Sequence, residues 1–199
     1  LVEINGKRII DTIIEALRWN GIKKIVIVVG YLKEQFIELY GREDDIILID
    51  NPLYDRCNNI SSLYVAREYL ENAIIIDGDQ IINNREILHK TFDRSSYAAV
   101  WTDRETREWL LDVHDGIITE CHRDGGRCGW QLYGISRWNR EDGIRLKRDI
   151  EKEFITNENR DIYWDDVALF CNPTEYDLGI DVIKKDDLIE IDSVKELIQ

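Results

Sequence analysis

The 199-residue sequence is poor in the residues that would place it in several large protein classes. It has no methionine, two prolines, three histidines and four cysteines. Cys57, Cys121, Cys128 and Cys171 are widely spaced, with no C-x-x-C and no neighbouring histidine ladder, so neither a zinc site nor a redox pair is indicated and reduced thiols are expected. His89, His114 and His122 stand singly in polar surroundings and receive no role. No apolar run approaches the length of a membrane span, and no charged, apolar, small-residue leader opens the chain. Positive charge is scarce as well: 26 basic against 40 acidic residues leave a formal charge of −14, which argues against a basic surface for nucleic acid. A small anionic ligand would need local help. These absences describe a soluble cytoplasmic protein with neither a nucleic-acid nor a membrane partner. A chain that begins Leu-Val-Glu and lacks methionine altogether is also expected to be missing its true start.

What is present is a regular apolar pattern, 44% of the residues, enough for one domain with a real core. From Lys7 to Trp19, Ile9, Ile10, Ile13, Ile14 and Leu17 recur at helical spacing and end at Asn20-Gly21. A strand over Lys24 to Val29, a helix over Lys33 to Tyr40, a strand over Asp45 to Asp50, a helix over Asn59 to Leu70 and a strand over Ala73 to Ile76 follow. The last of these, a run of pure aliphatics, reads as buried on both faces. Alternation of this kind specifies parallel pairing through right-handed crossovers, with ligands bound beyond the carboxyl ends of the strands. Gly30-Tyr31, Asn51-Pro52 and Asp77-Gly78-Asp79 all stand at such ends. Past Ser95 the pattern changes to hairpins, with turns at His114-Asp115-Gly116 and Asp124-Gly125-Gly126, so this half is antiparallel or mixed. Helices over Arg140 to Phe154 and Tyr163 to Phe170 lead to strands at 178–183 and 188–191, and Asp192-Ser193 caps a last helix. The two halves, 1–94 and 95–199, are expected to share one sheet.

Three constellations carry chemistry. Asp77-Gly78-Asp79 is an ordinary turn pair on composition, but at the ligand edge of a parallel sheet a carboxylate can hold Mg²⁺ against phosphate oxygens. An EF-hand is excluded, because Ile81 and Ile82 stand where an oxygen ligand and the invariant glycine belong. "CNNISSL", Cys57 to Leu63, sets amides and hydroxyls at a helix start, where Asn59 serves as N-cap or the group binds a nucleotide. "REWLLDV" and "DIYWDD" place tryptophans beside acids, a combination suited to a quaternary ammonium or amine and equally to a helix start with acids in its first turn.

The segments "LVEINGKRIIDTIIEAL", "IKKIVIVVGYLKEQF", "YDRCNNISSLYVAREYL", "IIIDGDQ", "REWLL", "DIYWDD" and "LIEIDSV" occur in the order and spacing of the bacterial CTP:phosphocholine cytidylyltransferases, and the chain resembles that branch of the sugar-phosphate nucleotidyltransferase superfamily over nearly its whole length. The resemblance implies a three-layer α/β/α sandwich with a mixed, mostly parallel sheet, binding CTP and Mg²⁺ and transferring CMP to a phosphorylated amino alcohol, phosphocholine first. It implies that Asp79 and Asp192 hold the metal and serve catalysis, with Asp77 shaping the turn. It points to Asn58, Asn59 and especially Ser62 at the cytidine, with Gly30 and Tyr31 grouped beside them as nucleotide-binding. The family's aromatic and acidic choline pocket matches Trp109, Tyr163, Trp164 and Asp165. In two places the chain departs from the pattern: it begins after the superfamily's first strand and Gly-rich, cation-bearing loop, and Arg8 replaces the proline usual after "NGK". The remaining alternatives are the same reaction on phosphoethanolamine, an aminoalkylphosphonate or a sugar phosphate, a nucleotide-sugar glycosyltransferase, and a nucleotide-binding remnant without catalysis.

Overall fold

The structure, a computed structural model, describes residues 1–4 and 6–191. In chain order its elements are β1 (Glu3–Ile4), β2 (Lys7–Arg8), α1 (Ile9–Trp19), β3 (Ile25–Val29), α2 (Lys33–Tyr40), β4 (Ile46–Asp50), α3 (Ile60–Ala66), β5 (Ala73–Ile76), β6 (Gln80–Ile82), β7 (Ser96–Thr102), β8 (Leu110–His114), β9 (Ile117–His122), β10 (Gly129–Trp138), α4 (Arg140–Glu151), β11 (Gly179–Val182) and β12 (Leu188–Glu190). Contacts group them into two compact units. One takes Leu1–Lys23, Ile74–Arg137 and the chain from Leu178; the other takes Lys24–Ala73 and Trp138–Asp177. The units interleave along the chain and do not follow a division at residue 94.

In the first unit a six-stranded sheet runs β5-β10-β7-β11-β9-β8, with β8 also pairing to β10. β10 is the spine. It pairs antiparallel with β7 along one edge, while Trp130 and Gln131 meet Leu111 and Leu110 of β8 on the other. Further along, Gly134 accepts a hydrogen bond from the Asp77 amide. α1 buries Ile9, Ile13, Ile14, Ala16 and Leu17, a 3.6-residue stripe. It is pinned to β6 because the Thr12 hydroxyl accepts from Ile82 N at 3.0 Å. Arg137, 1% exposed, ion-pairs the half-buried Asp181 carboxylate and donates to the Ile87 and His89 carbonyls. Burial lowers the guanidinium's pKa and Asp181 opposes that shift.

In the second unit β3 and β4 pair parallel, Ile25 to Ile46 through Val29 to Asp50, and α3 packs on both. α4 lies close to the end of the preceding segment at Gly143, where a Cβ would stand 2.1 Å from the Leu70 carbonyl oxygen. Trp138 meets Trp164 and Tyr176 edge to face in the core.

Several expectations change. Among the described pairings with a register, only β3–β4 and β7–β11 are parallel, so the sheets are mixed and not mostly parallel: antiparallel pairs supply most of the larger sheet. β5 is half-buried along its length and not buried on both faces, because it is an edge strand among the described residues. The helix expected over Asn59 to Leu70 tightens into a 3-10 turn at Arg67–Tyr69. β6 and its antiparallel pairing with β12 were not foreseen.

Candidate functional site

The Asp77-Gly78-Asp79 turn is held by its main chain. Asp77 N donates to Gly134 O at 2.8 Å, and Ile191 N donates to Asp79 O at 3.0 Å. A Cβ on Gly134 would come within 2.3 Å of Asp77 Oδ2 and 2.8 Å of Gln80 Nε2, so glycine is the residue that lets the turn seat on β10. Asp77 is thereby half-buried against the sheet, while Asp79 is exposed. The pairing of Glu190 with Gln80 carries the chain to Ile191 beside Asp79. Asp192 lies outside the described residues. Carboxylates that offer only oxygen suit a hard divalent cation such as Mg²⁺, so this donor set fits the metal the resemblance implies.

Trp109, half-buried, accepts Leu132 N through its carbonyl at 2.9 Å and lies under the Arg123 guanidinium, 5.2 Å from the ring centroid. Tyr133, next to Gly134, has its phenol pKa raised by burial first and then by Glu190 and Glu108, so it stays protonated. The fully buried Gln80 amide finds no hydrogen-bond partner among the described residues. Neither Tyr133 nor Gln80 stood out in the sequence; only the proximity of Gln80 to the Asp-Gly-Asp turn could have flagged it.

The second unit gathers the other candidates. Asn59 is the N-cap residue of α3, but its side chain makes no cap bond to the helix. Its Oδ1 accepts Trp164 N at 2.9 Å, and Asn58 donates from Nδ2 to Asp161 O at 3.1 Å, so the two amides clamp the "DIYWDD" segment to the start of α3. Ser62 Oγ accepts Asn51 Nδ2 at 3.2 Å, and Ser61 Oγ accepts the same group at 3.0 Å. Asn51, 1% exposed, is thus a positioning residue that the sequence marked only as a strand end. Gly30 admits no side chain, since its Cβ would lie 2.6 Å from the Tyr54 ring, and Tyr31 beside it is 71% exposed. An open cavity of ≈ 460 Å³ is lined by Tyr54, Asp55, Arg56, Cys57, Asn58 and Asp161. Tyr163 is exposed and Asp165 is buried. Trp164, expected in a pocket wall, is instead a core residue, 3% exposed and packed on Trp138. A tryptophan beside acids reads the same in sequence whichever way its ring turns.

Among the described residues, one group of potential ligand atoms lies within 4.8 Å of one another: Asp112, Glu120 and His122, on the β8–β9 hairpin. His122 ion-pairs Asp112 at 3.0 Å and Glu120 at 3.8 Å, and the hydrogen bond to Asp112 leads the causes that raise its pKa. The expectation that the histidines stand alone is corrected at this one.

Comparison with known proteins now decides the family. Over 200 aligned positions the chain is 34% identical to a 2-aminoethylphosphonate cytidylyltransferase of Lancefieldella rimae, covering 99% of this chain and 80% of that protein. It is 33% identical to a choline-phosphate cytidylyltransferase of Streptococcus pneumoniae, covering 98% and 84%. The chain belongs to the cytidylyltransferase family. Like its relatives it is a nucleotidyltransferase of α/β fold. The solved CTP:phosphocholine cytidylyltransferase from Streptococcus pneumoniae superposes on this family member with a TM-score of 0.89 at 34% identity, over 98% of this chain and 85% of that one. An inositol-1-phosphate CTP transferase from T. maritima, at 16% identity and a TM-score of 0.72, shares the fold. No family model matches the chain. Among the described residues no helix is long and apolar enough to cross a membrane.

Proposed function

We propose that the protein transfers CMP from CTP to the phosphate or phosphonate oxygen of a small amine, phosphocholine first. The attacking oxygen forms a bond to the α-phosphorus while the bond to the bridging oxygen of the β-phosphate breaks, and pyrophosphate leaves with that electron pair. No covalent enzyme intermediate is needed. The observation that carries the reading is the exposed Asp79 carboxylate on a turn locked to Gly134 and tied through its carbonyl to Ile191, the residue before Asp192.

Asp79, in the first unit, and Asp192 would hold Mg²⁺, which would offset charge on the phosphates. Asp77 keeps the turn in place, and Trp109 presents a ring to the ammonium. In the second unit, Ser62 meets the cytidine as Asn51 orients it, Asn58 and Asn59 fix the segment that follows Arg160, and Gly30 and Tyr31 complete the nucleotide side. Tyr163 supplies an exposed aromatic surface and Asp165 a carboxylate for the amine. Trp164 supports them from the core. A cytoplasmic setting belongs to this reading.

A second acceptor, 2-aminoethylphosphonate, is favoured by the relative from Lancefieldella rimae, whose identity and coverage match those of the choline-phosphate enzyme. The test is CTP-dependent pyrophosphate release by the full-length gene product with phosphocholine, phosphoethanolamine, 2-aminoethylphosphonate and sugar phosphates. Release with an amine acceptor and formation of the CDP-amino alcohol, or of the CMP-phosphonate anhydride, is expected. Release of a nucleoside diphosphate from a nucleotide sugar supplied in place of CTP, with no pyrophosphate release from CTP, would show a glycosyltransferase. Stabilisation by CTP without turnover on any acceptor would show a binding protein, and either result overturns the reading.

A further inference from the structure

Trp109 and Arg123 face each other across the open end of the β8–β9 hairpin. The last registered pair is Leu110 with His122, one residue inside them. On the other side the Thr106–Gly126 bridge closes the loop, its two backbone bonds 2.9 and 3.0 Å long. Gly125 sits at φ +70°, with room for no side chain because Thr106 O lies 2.1 Å from the Cβ position. The pair is therefore held between two fixed points, and the guanidinium 5.2 Å from the indole centroid is a product of that framing.

We infer that Arg123 is a specificity-determining residue: its guanidinium occupies the Trp109 ring surface that an acceptor's ammonium would use, so an acceptor must displace it. The inference rests on Trp109 serving the acceptor, as argued above. The consequence is selective. A quaternary ammonium has no N–H and depends on the ring, so it competes with Arg123 for its main interaction. A primary ammonium can instead donate to carboxylates, of which Glu108 precedes Trp109 directly, and is penalised less. The intramolecular cation thereby shifts preference from phosphocholine towards primary amines. For an exposed cation–π contact the stacked arrangement outnumbers the open one by roughly two to five, so removing the competitor tightens a ring-dependent acceptor by about three- to six-fold.

The experiment compares Arg123→Gln, Arg123→Lys, Trp109→Ala and the Arg123→Gln/Trp109→Ala double variant by steady-state kinetics with phosphocholine, 2-aminoethylphosphonate and CTP. Thermal melting serves as the check on folding. Arg123→Gln is expected to lower KM for phosphocholine by about three- to six-fold, with smaller changes for 2-aminoethylphosphonate and CTP. Arg123→Lys should stay near the parent, and the gain should vanish in the Trp109→Ala background. An unchanged or raised KM for phosphocholine in Arg123→Gln, with Trp109→Ala still weakening that acceptor, overturns this inference and leaves the reading of Trp109 intact. If Trp109→Ala changes no acceptor constant while pyrophosphate is still released, Trp109 is not the ammonium site and both fall.

Discussion

The two units hold their candidate residues by different means. In the first, the Asp77–Asp79 turn is fixed through backbone bonds to Gly134 and Ile191, and Asp79 is exposed. In the second, the side chains of Asn51, Asn58 and Asn59 are themselves the fasteners, bonded to Ser62, Asp161 O and Trp164 N. The lesson is that one region separates scaffold from chemistry and the other merges them. Substitutions should therefore split activity from stability in the first unit and couple them in the second.

The strongest test of that split is Asp79→Asn. Loss of a carboxylate that would hold the charge-offsetting Mg²⁺ is worth several kcal/mol in the transition state, so turnover should fall by about 10²- to 10⁴-fold. The melting temperature should hold, because the bond from Ile191 N is to the Asp79 main chain. Measured pyrophosphate release near the parent level would remove Asp79 from the metal site.

Gly134→Ala attacks the scaffold instead. A methyl 2.3 Å from Asp77 Oδ2 must push the turn off β10, at a cost of about 1–3 kcal/mol for overpacking. Activity should drop with stability here, and a suppressor that shortens Asp77 should recover part of both. A denaturation midpoint equal to the parent's would mean that the turn gives way freely.

Asn59→Ala probes the merged region. It leaves Trp164 N without its acceptor and frees the "DIYWDD" segment, so about 1–3 kcal/mol of stability is expected to go together with a higher KM for CTP. A stability loss with unaltered kinetics would confine Asn59 to the fold.

The same contrast explains what could be read from the sequence. Ile13, Ile14 and Leu17 announce α1, and Ile25 to Val29 announces a strand, because local periodicity reports burial directly. The short β6 gives no such signal: three residues after a turn become a strand only by meeting β12, more than a hundred residues away in sequence. Asp79 drew notice in the sequence only through its place, at the end of a strand where ligands bind in α/β sheets. Gly134 did not, since its value lies in a side chain elsewhere, Asp77. Trp164 went to the core and Tyr163 to the surface, a choice set by Trp138 and invisible to the local pattern.

The smallest expected effect lies on the β8–β9 hairpin, where Asp112 stands directly across from Glu120. Like charges in that position repel. His122 offsets the repulsion by bonding Asp112 and pairing with Glu120, and these contacts raise its folded-state pKa above the ordinary histidine value of about 6.5. A raised folded pKa means that the protonated form is bound more tightly in the native state. The stabilisation is therefore complete below about pH 6.5 while both carboxylates remain ionised, and it is lost as pH rises through the folded value. Because His122 is substantially exposed, solvent screening keeps the contribution below about 1 kcal/mol, and added salt should shrink it further. The measurement is the difference in unfolding free energy between the parent and His122→Gln from pH 5.5 to 8.5, with amide exchange along β8 and β9 as the local readout. The parent's advantage should fade across that range. A difference that stays flat with pH would mean that the imidazole acts by packing alone and that the facing carboxylates are kept apart by water.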